Sequence, residues 1–251
     1  LHKKELFNNI DYAMIELKKI SKKFNRQAVI KNLSFKLKRG EVLGFLGPNG
    51  AGKTTTLKMI TGLVGADRGT IEIAGLDSRD LKSRQHLGYM PEDPYFYEYL
   101  NGREFLIFIA ELQKLEKTKR RKEADRLLQL VGLGKEMRKP IRDYSKGMRQ
   151  RLGIAQALVG NPEILLLDEP LDGLDPIGRQ EVKEILLKEK KKGKTILISS
   201  HILADIEELA DRIAIVNHGQ IIAIDPIKKF INKKQSLEKT FVEIINRDDK
   251  K

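Results

Sequence analysis

Gly47-Pro48-Asn49-Gly50-Ala51-Gly52-Lys53-Thr54 has the pattern G-x-x-x-x-G-K-[ST], a loop suited to cradling the phosphates of a nucleotide. The residue types give the reason. Glycines let successive backbone N–H groups converge on one anion, and a helix starting there adds the positive end of its dipole. Lys53 can then reach the β- and γ-phosphates, and the Thr54 hydroxyl, with Thr55 beside it, can serve the phosphates and a Mg²⁺ ion. A second stretch, Ile164-Leu165-Leu166-Leu167-Asp168-Glu169-Pro170, ends an apolar run in two carboxylates. Acids at the C-terminal edge of a parallel sheet stand where open α/β folds bind their ligands. Asp168 is expected to help hold Mg²⁺, directly or through water, and Glu169 to polarise an attacking water as general base.

These groups need a scaffold that the flanking sequence supplies. Val42-Leu43-Gly44-Phe45-Leu46 predicts a buried strand before the loop, and Thr55-Thr56-Leu57-Lys58-Met59-Ile60 the start of a helix after it. Strands are also predicted at Ile15–Ile20, Leu33–Leu37, Thr70–Ile73, Gln85–Met90, Ile164–Leu167 and Thr195–Ser199. Pro91-Glu92-Asp93-Pro94 forces a break. Helical periodicity runs from Arg103 to Leu130, with Phe105, Phe108, Ile109 and Leu112 on one stripe, and returns at Met148–Val159, Val182–Lys192 and Ile202–Ala210. Ile213–Val216 and Gln220–Ile224 form a hairpin around Asn217-His218-Gly219. The order predicts an α/β core with a helical subdomain inserted at about residues 92–160. The nucleotide-binding domain is placed at residues 1–224. Residues 225–251 form a basic C-terminal tail whose last residues, Asp248-Asp249-Lys250-Lys251, are expected to be disordered.

Composition narrows the classes. The chain has 251 residues, 40% of them hydrophobic, enough for a core in one large domain. No apolar run approaches the ~18 residues that a bilayer span needs. The opening Leu1-His2-Lys3-Lys4 leads into mixed polar sequence, and no secretory leader is expected there. With no cysteine, disulfides, thiol catalysis and Cys-ligated zinc are excluded. The formal net charge is +13. Its basic runs, Lys117 to Lys122, Lys190 to Lys192, Lys228-Lys229 and Lys233-Lys234, mostly lie beside acids on helical faces, the pattern of solvated surface. No interleaved aromatics form a base-stacking platform, and no nucleic-acid partner is expected.

Tyr144-Ser145-Lys146-Gly147-Met148-Arg149-Gln150-Arg151-Leu152 precedes the Asp168 strand by a short helix and the Asn161-Pro162 turn. Here the chain resembles the ATP-binding subunits of ABC transporters, whose signature, usually L-S-G-G-Q, occupies this place. Tyr144 replaces the Leu, Lys146 the first Gly and Met148 the Gln; Ser145 and Gly147 remain. The resemblance extends further. Leu171-Asp172-Gly173-Leu174-Asp175-Pro176 is similar to the family's D-loop, and Ser199-Ser200-His201 to the segment bearing its switch histidine. Phe24 lies where the family places an aromatic against adenine, and Glu92 where it usually has a glutamine that reaches the metal. Taken alone, His201 could equally be a helix-capping or core histidine and Phe24 a core residue.

The resemblance implies a P-loop NTPase fold, a RecA-like core with an antiparallel β subdomain and an inserted α-helical subdomain. It implies ATP and Mg²⁺ as cofactors. Glu169, His201 and Lys53 would be catalytic, and Thr54, Glu92 and Asp168 would serve the metal. ATP would lie on Phe24 and Gly47 to Thr55 of one subunit. Ser145, Lys146, Gly147, Met148 and Asp175 of another, in a homodimer or heterodimer, would close over it. A separate transmembrane permease would be the partner, as in two-component exporters, with the chain cytoplasmic and peripheral on the inner face of the membrane. Tyr95, Phe96, Tyr97 and Tyr99 would either face that partner or pack inside the helical subdomain. The rival reading is a soluble ABC-type ATPase acting on ribosomes or nucleic acid, or in cofactor assembly.

Overall fold

The computed structural model describes residues 13–231 and 236–250; Leu1-His2-Lys3-Lys4, Lys233-Lys234 and Lys251 lie outside the described residues. Strands β1 (Ala13–Phe24) and β2 (Gln27–Lys38) form a hairpin. In β2, Leu33, Phe35 and Leu37 are buried while Ser34, Lys36 and Lys38 are exposed, the alternation of a sheet with one wet face. β3 (Val42–Leu46) leads through the glycine loop into helix α1 (Lys53–Ile60). The chain then makes β4 (Arg68–Ile73), β5 (Leu76–Asp77) and β6 (Leu87–Met90). β2, β1, β4 and β5 form an antiparallel sheet in that order.

A helical block follows. Helix α2 (Gly102–Leu112) starts at a capping box, in which Asn101 and Glu104 satisfy each other's backbone N–H groups. Helix α3 is Lys117–Leu130 and α4 is Lys146–Leu158. The periodic stretch from Arg103 to Leu130 is therefore two helices rather than one, parted where Lys114 takes a left-handed φ of 60°. Leu112, expected on the apolar stripe, sits at that break and is 62% exposed. The last part of the chain alternates β7 (Ile164–Asp168), α5 (Pro176–Lys191), β8 (Thr195–Ser200), α6 (Leu203–Leu209), β9 (Arg212–Asn217) and β10 (Gln220–Pro226).

The second sheet has the order β10-β9-β3-β8-β7-β6, parallel except for β10. Its central strands β3, β7 and β8 are buried along their whole length, and β3 and β7 accordingly appear in sequence as apolar runs. Side chains alternate between two cores. Leu165 and Leu167 pack with the helices α2 to α6, whereas Ile164, Leu166, Leu43 and Phe45 pack with α1 and the antiparallel sheet.

The C-terminal end corrects the sequence expectation. It is not disordered through Asp248-Asp249-Lys250: helix α7 (Leu237–Asp248) forms there, capped by Ser236. Leu237, Phe241, Ile244 and Ile245 recur at helical spacing and bury one stripe against the main core. Asp248 and Asp249 then accept hydrogen bonds from Asn217 Nδ2 at 3.1 and 2.8 Å.

Candidate functional site

The parallel sheet brings the phosphate loop and the two acids to one edge, because β3 and β7 both flank β8. Two glycines of the loop are required by their surroundings. A Cβ at Gly47 would stand 2.3 Å from the Val216 carbonyl oxygen. Gly52 has φ of 104°, and a Cβ there would meet Ile30 Cδ1 at 2.5 Å. Pro48, Asn49 and Gly50 are exposed at the crest, and Thr54 and Thr55 are half-buried at the start of α1. Lys53 is buried, with its ammonium folded back on the loop. It donates to the carbonyls of Gly47 at 2.8 Å and Pro48 at 3.3 Å, and lies 3.9 Å from Glu169 Oε1. The loop is braced from behind: Gly219 N–H, in the β9–β10 turn, donates to the Ala51 carbonyl at 3.1 Å.

The acids stand at the end of β7. Asp168 is fully buried, and its Oδ1 accepts from Ser199 Oγ at 2.6 Å. The same hydroxyl oxygen accepts the Glu169 N–H at 2.9 Å, so one serine sets both acids. Glu169 takes a left-handed φ of 49°, backbone strain of the kind that collects at functional sites. Its Oε2 accepts the His201 N–H at 3.1 Å and lies 2.8 Å from His201 Nδ1. Gln150, buried in α4, donates from Nε2 to the Glu169 carbonyl at 2.8 Å.

The residues present fit a divalent cation. Asp168 Oδ2 is buried without a hydrogen-bond partner, and hard cations take oxygen ligands. Thr54 adds a hydroxyl, and Glu92 lies exposed just past the end of β6. Burial, then the charges of Asp168 and Glu92, push the Tyr89 phenol above its ordinary pKa, so it keeps its proton.

The other expected residues form a second group. Ser145 caps α4, its Oγ accepting from Met148 N–H at 3.3 Å. Lys146 Nζ donates to Asp172 Oδ2 at 2.7 Å, and that bond holds the Asp172 carboxyl below the ordinary range. Gly147 lies against Leu174 and the Gly173 carbonyl. Asp175 caps α5, accepting from Gly178 N–H at 2.6 Å. Phe24 is 44% exposed, with the Lys22 ammonium 5.3 Å from its ring centroid. The aromatic stretch divides: Phe96 is buried edge-on against Phe105, while Tyr95 and Tyr99 are exposed and Tyr97 rests on Phe108. Sequence patterns alone assign no role to Ser199, Gln150, Tyr89 or Gly219. Ser199 is legible from its place near the end of β8, two residues before His201; the others carry no local signal.

A phosphate loop between a parallel strand and a helix, with buried acids at the end of a neighbouring strand, defines a P-loop nucleotide-binding fold. The family profile described as ABC transporter matches residues 30–172. An uncharacterized ABC transporter ATP-binding protein of Synechocystis is 44% identical over 211 residues, 83% of this chain and 60% of that protein. The lantibiotic transport ATP-binding protein SrtF of Streptococcus pyogenes is 36% identical over 230 residues, 91% of this chain and 96% of that protein. The bacitracin transport ATP-binding protein BcrA of Bacillus licheniformis is 40% identical over 223 residues, covering 86% and 72%. A solved ATP-binding subunit of an ABC transporter superposes with TM-score 0.84 at 33% identity, covering 92% of this chain and 99% of that one. A dimeric cassette in a post-hydrolysis state, bound to ADP and Pi, gives 0.79 at 26%, covering 85% and 99%. The chain belongs to the ATP-binding proteins of ABC transporters. It spans 60% and 62% of the length of its Synechocystis and Nostoc relatives.

Proposed function

We propose that this chain binds ATP with Mg²⁺ and hydrolyses it to drive a separate membrane permease, as the ATPase of a two-component exporter. The observation that carries the reading is Glu169, strained and buried at the end of β7 beside Lys53 and His201. Lys53 leaves the Gly47 and Pro48 carbonyls for the β- and γ-phosphates, a charge-assisted exchange. Glu169 takes a proton from water as its oxygen bonds to the γ-phosphorus. The bond from phosphorus to the β,γ-bridging oxygen breaks, releasing ADP and inorganic phosphate. His201 holds Glu169 in place. Asp168, Thr54 and Glu92 would hold Mg²⁺, which when bound would supply charge neutralisation for the phosphates.

ATP closes a head-to-tail pair, identical or not, with Ser145 to Met148 and Asp175 of one subunit facing the phosphate loop of the other. Phe24 offers its exposed ring to adenine. The exporter assignment draws on relatives named for lantibiotic and bacitracin transport. Among the described residues no helix is long and apolar enough to cross a membrane. The chain would sit on the inner face of the membrane through that partner.

The test is a native pull-down with the Glu169→Gln chain in mild detergent, beside a Mg-ATPase assay of the wild type. A stoichiometric polytopic membrane protein is expected. Recovery of ribosomes, nucleic acid or a soluble scaffold in its place would overturn the transport reading, and a wild type without Mg-ATPase would overturn the activity.

A further inference from the structure

Two polar atoms on the neighbouring strands β6 and β7 are buried without a hydrogen-bond partner: the Tyr89 hydroxyl and Asp168 Oδ2. β6 and β7 run parallel, and Tyr89 pairs with Leu166. Side chains alternate along a strand, so Tyr89, Leu166 and Asp168 share one face of the sheet. Packing agrees, since Tyr89 and Leu166 join the core that holds Leu57 and Met59 of α1, while Met90 and Leu167 join the other. Asp168 lies two residues beyond Leu166, a rise of about 6.6 Å on the next strand, within reach of a tyrosine leaning along its own strand. Asp168 and Glu92 are the carboxylates whose charge acts on the Tyr89 hydroxyl. Buried polar groups of this kind are satisfied by ordered water or an ion. A phenol beside two carboxylates faces them as a donor.

We propose that the Tyr89 hydroxyl is a positioning group for the magnesium site, donating to a water that it shares with Asp168 Oδ2. Ser199 already fixes Asp168 through Oδ1. Tyr89 then steadies the carboxylate from its other oxygen and leaves that oxygen's second lone pair for the metal or its hydration shell. The inference rests on the Mg-ATP reading above and adds a residue to it.

The test reads binding, not turnover. Full-length wild type, Tyr89→Phe and Asp168→Asn are titrated with Mg²⁺ at fixed mant-ATP, after the affinity for mant-ATP has been measured in EDTA. Phenylalanine keeps the ring and its packing and removes only the donor. Tyr89→Phe is expected to match wild type in EDTA, which also verifies its fold. Its half-saturating Mg²⁺ concentration should rise about 3- to 10-fold, the worth of one hydrogen bond. An unchanged Mg²⁺ midpoint, in a wild type that clearly depends on Mg²⁺, overturns the Tyr89 assignment alone. A wild type whose mant-ATP binding ignores Mg²⁺, as Asp168→Asn would, overturns the assignment together with the metal reading beneath it.

Discussion

Glu169 Oε2 lies 2.8 Å from His201 Nδ1 and accepts the His201 backbone N–H at 3.1 Å. An ionised carboxylate can only accept, so this geometry puts a proton on Nδ1 and makes His201 the group that fixes the Glu169 rotamer. Glu169 is thus oriented by His201, just past the end of β8.

Glu169→Gln should bind Mg-ATP as wild type does and lose turnover by about 10²- to 10⁴-fold, the usual worth of a general base. Light scattering with Mg-ATP should show a stable dimer, since the bridging γ-phosphate is no longer removed. A mutant that stays monomeric argues against self-association, and one that turns over normally removes Glu169 from the chemistry.

Glu92→Gln should retain ATPase activity, with a loss of less than about tenfold. Glu92 is exposed, so its charge is screened, and an amide oxygen can still ligate Mg²⁺. Steady-state assays beside Glu169→Gln decide the point: equal inactivity of the two variants would make the Glu92 carboxylate essential.

Ser199→Ala should destabilise the fold by about 1–3 kcal/mol, because it strips a partner from the buried Asp168 carboxylate and from the Glu169 N–H. Urea unfolding measures the loss. Activity should fall as well, since both acids lose their common support. Unchanged stability would mean that the two groups find other partners.

Asp249 should titrate below the ordinary carboxylate range. The hydrogen bond from Asn217 is the larger cause, with His218 adding to it. A depressed folded pKa contributes stability that is present above the unfolded value of about 3.9 and is lost as pH falls through the folded value. Docking of the end of α7 on the β9–β10 turn is therefore expected to hold at neutral pH and to loosen only in strong acid. Carboxyl-detected NMR gives the midpoint. Asn217→Ala should raise it more than His218→Ala does, and the reverse order would refute this account.

How much of this was legible in sequence depends on the range of the interaction involved. Gly47 to Thr54 and Ile164 to Glu169 announced themselves because their work is local: a turn, a helix start, an apolar strand ending in acids. The alternation of β2 and the unbroken runs of β3 and β7 likewise carry their burial in their own residues. Helix α7 is not legible in sequence because its stripe, Leu237, Phe241, Ile244 and Ile245, lies in a charged tail and has meaning only against the core that it covers. The break between α2 and α3 hangs on one left-handed residue, Lys114, with no glycine to mark it. The sequence by itself determined the phosphate loop, the acidic strand end and the alternation of strands and helices. Only the tertiary structure decided that Ser199, His201, Gln150 and the Gly219 turn converge on them. Those contacts join strands and helices far apart in the chain, and strand order in a sheet is set by long-range packing that no local pattern encodes.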